Sequence, residues 1–307
     1  MTRSSCDTAP TDTVYVGNHV VCVIDLLGQK EKLKTWCTLP DTPTLPEAFT
    51  DGMKRTAGAV NWFLKAFEDY YSQFDVQNLE QSQIHLLTEA QQSSIDRARD
   101  CTLRTHHLSD TFVFDAPLEN THGDFTPTPL YRMLGASAMA MLCSLAGSVA
   151  LRGAITVGVG TRLDNGTFYG PALAEAHRLE TEIADYPRVI LSNTAIAAAS
   201  RKGRFSTDEA TERLLQQAAV LCREFLCGDD DGRIMVDFLG KHMRSLCDSD
   251  HATFVEQAYR FVNDEYRRWA QQKGQERLAG RYHRLRAYME TRLSHWGLSS
   301  EGLGDAR

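Results

Sequence analysis

The sequence has no CxxC pair, no internal repeat, no low-complexity tract and no excess of basic residues. Each absence narrows the field. Eight cysteines occur, at 6, 22, 37, 101, 143, 222, 227 and 247, and Cys22 and Cys143 lie inside apolar runs. That usage fits reduced, mostly buried thiols in a cytoplasmic protein rather than a disulfide framework. The net charge of −7 gives no basic field, so non-specific nucleic-acid binding is disfavoured. An anionic substrate would need local arginines, backbone N–H groups or metal ions. No Ser-His-Asp or Cys-His arrangement marks a protein nucleophile. The opening MTRSSCDTAPTDT lacks an apolar core, so no signal peptide is expected, and 1–17 reads as a flexible tail.

Long hydrophobic runs are also scarce, with one exception. MLGASAMAMLCSLAGSVAL, 133–151, carries no charge and approaches the ~20 residues of a membrane span. Its Ala, Ser and Gly content, and the strand-like RGAITVG that follows, favour a helix lying close against a sheet.

What is present is an ordered series of strands and helices. Residues 18–27 read as a buried strand, and 31–52, with three prolines, as a loop. Val60, Phe63, Leu64, Phe67 and Tyr71 recur at helical spacing over 53–74. The polar 76–100 allows a short helix. TLRTHHLSDTFVFDA, 102–116, reads as two strands joined by a turn at Leu108–Asp110. A loop at 117–129 leads to the apolar helix, then a strand over 151–160. LDNGT, 163–167, is a hairpin turn signal. A helix over 170–185, a strand at 188–192, helices at 194–201 and 207–227, a strand at 232–238 and two amphipathic helices across 251–296 complete the chain. The order is α+β: a ferredoxin-like βαββαβ plan with extra strands and C-terminal helices. Three parts are expected: the tail, a catalytic domain over 18–240, and a helical extension over 241–307 packed on the core or a dimer.

The chemistry centres on VVCVIDLLGQK, 20–30, where Asp25 interrupts a core strand. In a βαββαβ sheet the end of the first strand lies beside the central turn, which brings Asp25 towards Asp110. Two such carboxylates repel unless a cation sits between them. Oxygen ligands favour Mg²⁺ or Mn²⁺. Singly, each Asp could instead serve an ordinary turn. The His106-His107 pair has no Cys or third His at ligand spacing to make a zinc site.

VIDLLGQK, HLSDTFVF, LRGAITVGVG and TFYGPALAEAHRLE follow one another as in the class III nucleotidyl cyclase catalytic domain. Over about 18–240 the chain most resembles the bacterial pyrimidine cyclases of Pycsar anti-phage systems. The LRGAIT and YGPAL runs, and an SD turn in place of GD, carry the narrower likeness.

The resemblance implies two divalent metal ions, Mn²⁺ or Mg²⁺, held by Asp25, Asp110 and the Leu26 carbonyl. It implies phosphate binding by the Leu27 and Gly28 amides and by Arg152, and a catalytic role for Arg178. His106 and Thr167 stand where the family reads the base. Arg152 could otherwise form an ion pair, and Arg178 could bridge Glu175 or Glu182 at helical spacing. The family's Asn four residues before that Arg is replaced by Ala174. The implied activity is a uridylate cyclase: UTP to 3′,5′-cyclic UMP and pyrophosphate, in a homodimer with composite sites. The messenger would act on a separate effector protein in anti-phage defence, with no nucleic acid or membrane partner. A cytidylate cyclase acting on CTP, an ATP or GTP cyclase, and an inactive nucleotide-binding domain are the alternatives. A diguanylate cyclase would show a GG(D/E)EF-like turn, which HLSDTFVF lacks.

Overall fold

The computed structural model describes residues 16–28, 47–74, 88–89, 93, 96, 102–119 and 125–303. One eight-stranded sheet organises them. Its strands are β1 (Val16–Leu26), β2 (Arg104–Leu108), β3 (Thr111–Pro117), β4 (Leu151–Arg162), β5 (Phe168–Tyr169), β6 (Val189–Leu191), β7 (Leu226–Gly228) and β8 (Ile234–Val236). The order is β2-β3-β1-β4-β6-β8-β7, with β5 pairing β4. Every pair is antiparallel except β4 with β6. The helices are α1 (Glu47–Gln73), α2 (Thr128–Ala146), α3 (Pro171–Arg178), α4 (Asn193–Ala199), α5 (Glu209–Glu224), α6 (Lys241–Leu246), α7 (His251–Ala270), α8 (Glu276–Glu290) and α9 (Ser300–Leu303). The fold is mixed α and β with a mostly antiparallel sheet.

β1 lies at the centre because it is rich in Val and Ile, which fit a pleated, buried surface. Its side chains alternate between two faces. Val20, Cys22, Ile24 and Leu26 join the main core under α1 and α2, while Val21 and Val23 pack with Phe168, Ala172 and Ala176 on the other face. On α1 the expected stripe is the buried one: Phe63, Phe67 and Tyr71 are all but inaccessible. Phe67 stacks on Phe114 of β3 at 3.7 Å between ring centroids.

α2 is the apolar helix, and 16 of its 19 residues are buried. A helix hydrophobic all round must be enclosed. Here α1, α5 and α7 pack around it. Among the described residues no helix is long and apolar enough to cross a membrane. The C-terminal helices share that core: Val255, Ala258, Val262, Leu285, Met289 and Trp296 belong to the same cluster as Ile24 and Leu142.

α3 runs into a π-helical turn, Leu179–Ile183, and the chain reverses at Asp185, whose φ is 50°. Gly170, φ 145°, opens α3 where a Cβ would lie 2.8 Å from the Gly160 Cα. No other residue permits both that φ and that approach.

Four expectations shift. α1 starts at Glu47, so the end of the supposed 31–52 loop is helical, although Thr50, Asp51 and Gly52 are weak helix formers. The apolar helix covers 128–146, with Pro129 in its first turn, where the missing N–H costs nothing. α5 stops at Glu224, and Leu226–Gly228 is a short strand. The C-terminal pair spans 251–270 and 276–290, then a 3₁₀ turn at Leu293–Trp296. The tail before Val16, the rest of the 31–52 loop and nearly all of 76–100 lie outside the described residues.

Candidate active site

β1 and β3 pair so that Asp25 faces Thr111, and β1 and β4 so that Asp25 faces Arg152. The Leu26 amide donates to the Asp110 carbonyl at 3.1 Å. The end of β1 therefore meets the β2–β3 turn, as the order of elements predicts. Ser109 takes a left-handed φ of 61° in that turn. Asp25 is half-buried and accepts a 3.1 Å hydrogen bond from the Thr111 hydroxyl.

The electrostatics at this point are unresolved by the protein itself. The Asp25 pKa is pushed up to about 6, first by burial and then by the Glu180 carboxylate, with Asp110 adding to the effect. Thr111 and Arg152 oppose it incompletely. Glu180 is only 2% exposed and was not anticipated. A signal for it exists: it lies four and eight residues after the buried Ala176 and Ala172, in phase with the inner side of α3.

The arginines are placed differently from expectation. Arg152 does not stand free for a triphosphate. Its Nε and Nη2 both reach Glu180 Oε1, at 2.8 and 2.6 Å. A buried carboxylate needs such a partner. Arg178 sits out of phase with Ala176, is exposed, and is held by both Glu175 oxygens at 2.9 Å, with Glu182 at 3.8 Å. The ion-pair alternative is thus the arrangement present in the single chain.

The expected phosphate cradle needs one correction. The Leu27 amide donates to the Ala150 carbonyl at 2.9 Å, so it is not free for a phosphate oxygen. Sheet pairing of β1 and β4 continues one residue past Leu26 and consumes it. Gly28 keeps the turning role: its φ is 86° and it is exposed. Leu26 buries its side chain and pairs Leu151 in the ladder.

The base-reading candidates lie on the same face, with His106 in the row of Val113 and Val23, two residues from the row of Thr111 and Asp25. His106 of β2 and the Leu163–Thr167 turn both meet Arg162 at the end of β4. The Arg162 Nη1 is 3.5 Å from His106 Nε2 and donates to the Gly166 carbonyl at 3.2 Å. Its Nη2 is bonded to Asp115, which is fully buried. His19 Nδ1 lies 3.4 Å from the same carboxylate. Thr167 is exposed, and its amide donates to Asn165 Oδ1 at 3.0 Å. Burial lowers the Arg162 pKa, Asp115 acts against it and Arg104 with it.

Among the described residues one set of three acidic groups converges to within 4.8 Å, Asp229, Asp230 and Asp231. These are committed elsewhere. Arg188, 1% exposed, bonds Asp229 and Asp231, and Arg284 reaches Asp230 at 2.8 Å. Arg188 and Arg284 also each lie 4.5 Å from the centre of the Tyr186 ring. The acidic loop is therefore a clasp between β6 and α8. The described cysteines are unbridged, and burial pushes the Cys22 thiol up to about 12, so it is inert. No protein-family model and no curated protein matches the chain.

Proposed function

We propose that this chain is a pyrimidine nucleotide cyclase, converting UTP to 3′,5′-cyclic UMP and pyrophosphate. One observation carries the proposal: Asp25 and Asp110 meet at the end of β1, where Glu180 and burial leave Asp25 with a raised pKa and no sufficient cation. Support also comes from topology. The β2-β3-β1-β4 part of the sheet is antiparallel throughout, with a helix between β1 and β2 and another between β3 and β4. That order is compatible with a ferredoxin-like βαββαβ core and so supports the reading.

In this mechanism the ribose 3′-oxygen forms a bond to the α-phosphorus, the bond to the pyrophosphate oxygen breaks, and the hydroxyl proton leaves to solvent. Asp25, Asp110 and the Leu26 carbonyl would hold two divalent cations, Mn²⁺ or Mg²⁺. Cations bound there would supply charge neutralisation on the triphosphate and acidify the attacking hydroxyl. The chain's own work is positioning. Gly28 turns the backbone past the phosphates. Arg178, already extended into solvent, would exchange Glu175 for the reacting phosphate of a site completed by a second copy. The homodimer would be head-to-tail, joining the carboxylate end of one chain to the donor end of the other. The cyclic nucleotide would then act on a separate effector in anti-phage defence.

The test is incubation with each of the four NTPs and Mn²⁺, with products separated. Cyclic product and pyrophosphate from UTP support the proposal, and product from CTP alone changes the base. In a second assay, Asp25→Ala protein mixed with Arg178→Ala protein should recover activity at one composite site per heterodimer. Absence of rescue would remove the composite site or the role of Arg178.

A second reading is an inactive nucleotide-binding domain. Ala174 in the place of Asn and the Leu27 amide spent on Ala150 favour it. No turnover with any NTP would select it.

A further inference from the structure

The donor end of the sheet face contains more than the two base-reading candidates. Asp115 has no solvent exposure and His19 only 4%. Among the described residues Asp115 Oδ1 and both His19 ring nitrogens have no hydrogen-bond partner. His19 lies edge-on to Phe168 at 4.9 Å, which fixes its ring. A buried carboxylate is costly unless a cation answers it. The cation here is Arg162, which reaches in from the end of β4. Arg162 cannot turn away without stranding Asp115, so its guanidinium has one orientation.

That orientation decides the state of His106. A guanidinium carries five N–H donors and no acceptor. The His106 nitrogen facing Arg162 Nη1, Nε2 at 3.5 Å, must therefore be the one with the lone pair. In neutral imidazole the proton then sits on Nδ1. His106 is partly exposed, which leaves this N–H to a ligand or solvent and not to Arg162. The same guanidinium holds the Gly166 carbonyl and so fixes the turn immediately before Thr167.

We propose that Arg162, locked by Asp115, is a positioning residue that sets the His106 tautomer and so selects uracil over cytosine. Uracil carries a carbonyl at its 4-position, which accepts from Nδ1–H. Cytosine carries an amine there, and donor would face donor. A site that presents a donor rejects the mismatched analogue because a polar group is left unpaired. The inference rests on the cyclase proposal for the presence of a base at His106, but its structural half does not.

The experiment has two readouts on the full chain. The first is the ¹⁵N spectrum of labelled histidines, with His106→Gln supplying the assignment. An Nδ1–H tautomer at His106 that is lost in Arg162→Lys is expected. An Nε2–H tautomer in the unmodified chain overturns the inference. The second is the ratio of kcat/KM for UTP and CTP. It should fall about tenfold in Arg162→Lys, the loss of one well-placed hydrogen bond. Arg162→Met combined with Asp115→Asn leaves no buried charge and should give the same fall with the fold kept. An unchanged ratio in either variant overturns the inference. If the unmodified chain turns over no NTP, the cyclase proposal falls by itself. Binding of UTP against CTP in Ca²⁺ then decides this one, and equal affinities overturn it.

Discussion

The two ends of one sheet face carry opposite problems. At the end of β1, Arg152 is paired with Glu180, and it only partly offsets the charge that Glu180 and Asp110 place beside Asp25. At the end of β4, Arg162, with Arg104 and His19 nearby, shares one carboxylate, Asp115. Val23 and Val113 stand between the row of Asp25 and that of Asp115, and Val23 packs with Val21, Phe168, Ala172 and Ala176. The donor end is settled internally, because Asp115 and Arg162 answer each other. The carboxylate end is not, and Asp25 holds its proton up to about pH 6 as a result. The two ends thus differ in whether the chain supplies its own counter-charge, and the proposed cation site is at the end where it does not.

The contrast can be broken by substitution. The largest effect is expected from Asp25→Asn, which should leave no metal-dependent cyclic product, measured by product separation with UTP and Mn²⁺, in a chain that still folds. Next, Asp115→Ala should destabilise by about 3 kcal/mol in denaturant titration, because Arg162 is left without its buried partner. A loss near zero would show that Arg162 had been solvated all along and the two ends alike.

The pH dependence sharpens the same comparison. A carboxyl whose folded pKa is raised contributes stability that is full below its unfolded pKa and is lost as pH rises through the folded value. For Asp25 that window runs from the model-peptide 3.8 to about 6. Metal-free Asp25→Asn should therefore match the parent near pH 4 and exceed it at pH 8. With solvent reaching the carboxyl, the gain is about 1–2 kcal/mol. A metal-free variant no more stable than the parent at pH 8 would remove the conflict from that end. Glu180→Gln should act through the same group, lowering the Asp25 pKa towards 4 in carboxyl-carbon NMR titration. The smallest effect is expected at the C-terminal clasp. Arg281, 3.1 Å from Asp185, is partly exposed, and its change to Ala should cost about 0.5 kcal/mol.

How much of this was legible depended on whether the cause was local. β1, the Ser109-Asp110 turn and the LDNGT hairpin are set by neighbours in sequence, and each stands within a residue or two of its expected place. The meeting of Asp25 with Asp110 followed from element order. What was missed is long-range. Arg162 and Asp115 are 47 residues apart, and Arg152 and Glu180 are 28 apart. Nothing near Arg162 announces a buried partner, although Asp115 sits amid the apolar FVFDAP of β3 and shares parity with Val113. Arg178 was read from resemblance, whereas helical phase alone puts it in solvent and Glu180 inside.

The enclosure of α2 has a temporal side. Its apolar surface is covered partly by α7, which begins more than a hundred residues further along the chain. During synthesis at 5–20 residues per second, α2 waits on the order of ten seconds for that cover. For that interval the nascent chain presents a partly uncovered helix, with Arg132 as its single charge, to whatever binds such surfaces. The helices after β8 thus decide when the core can close, as well as how well.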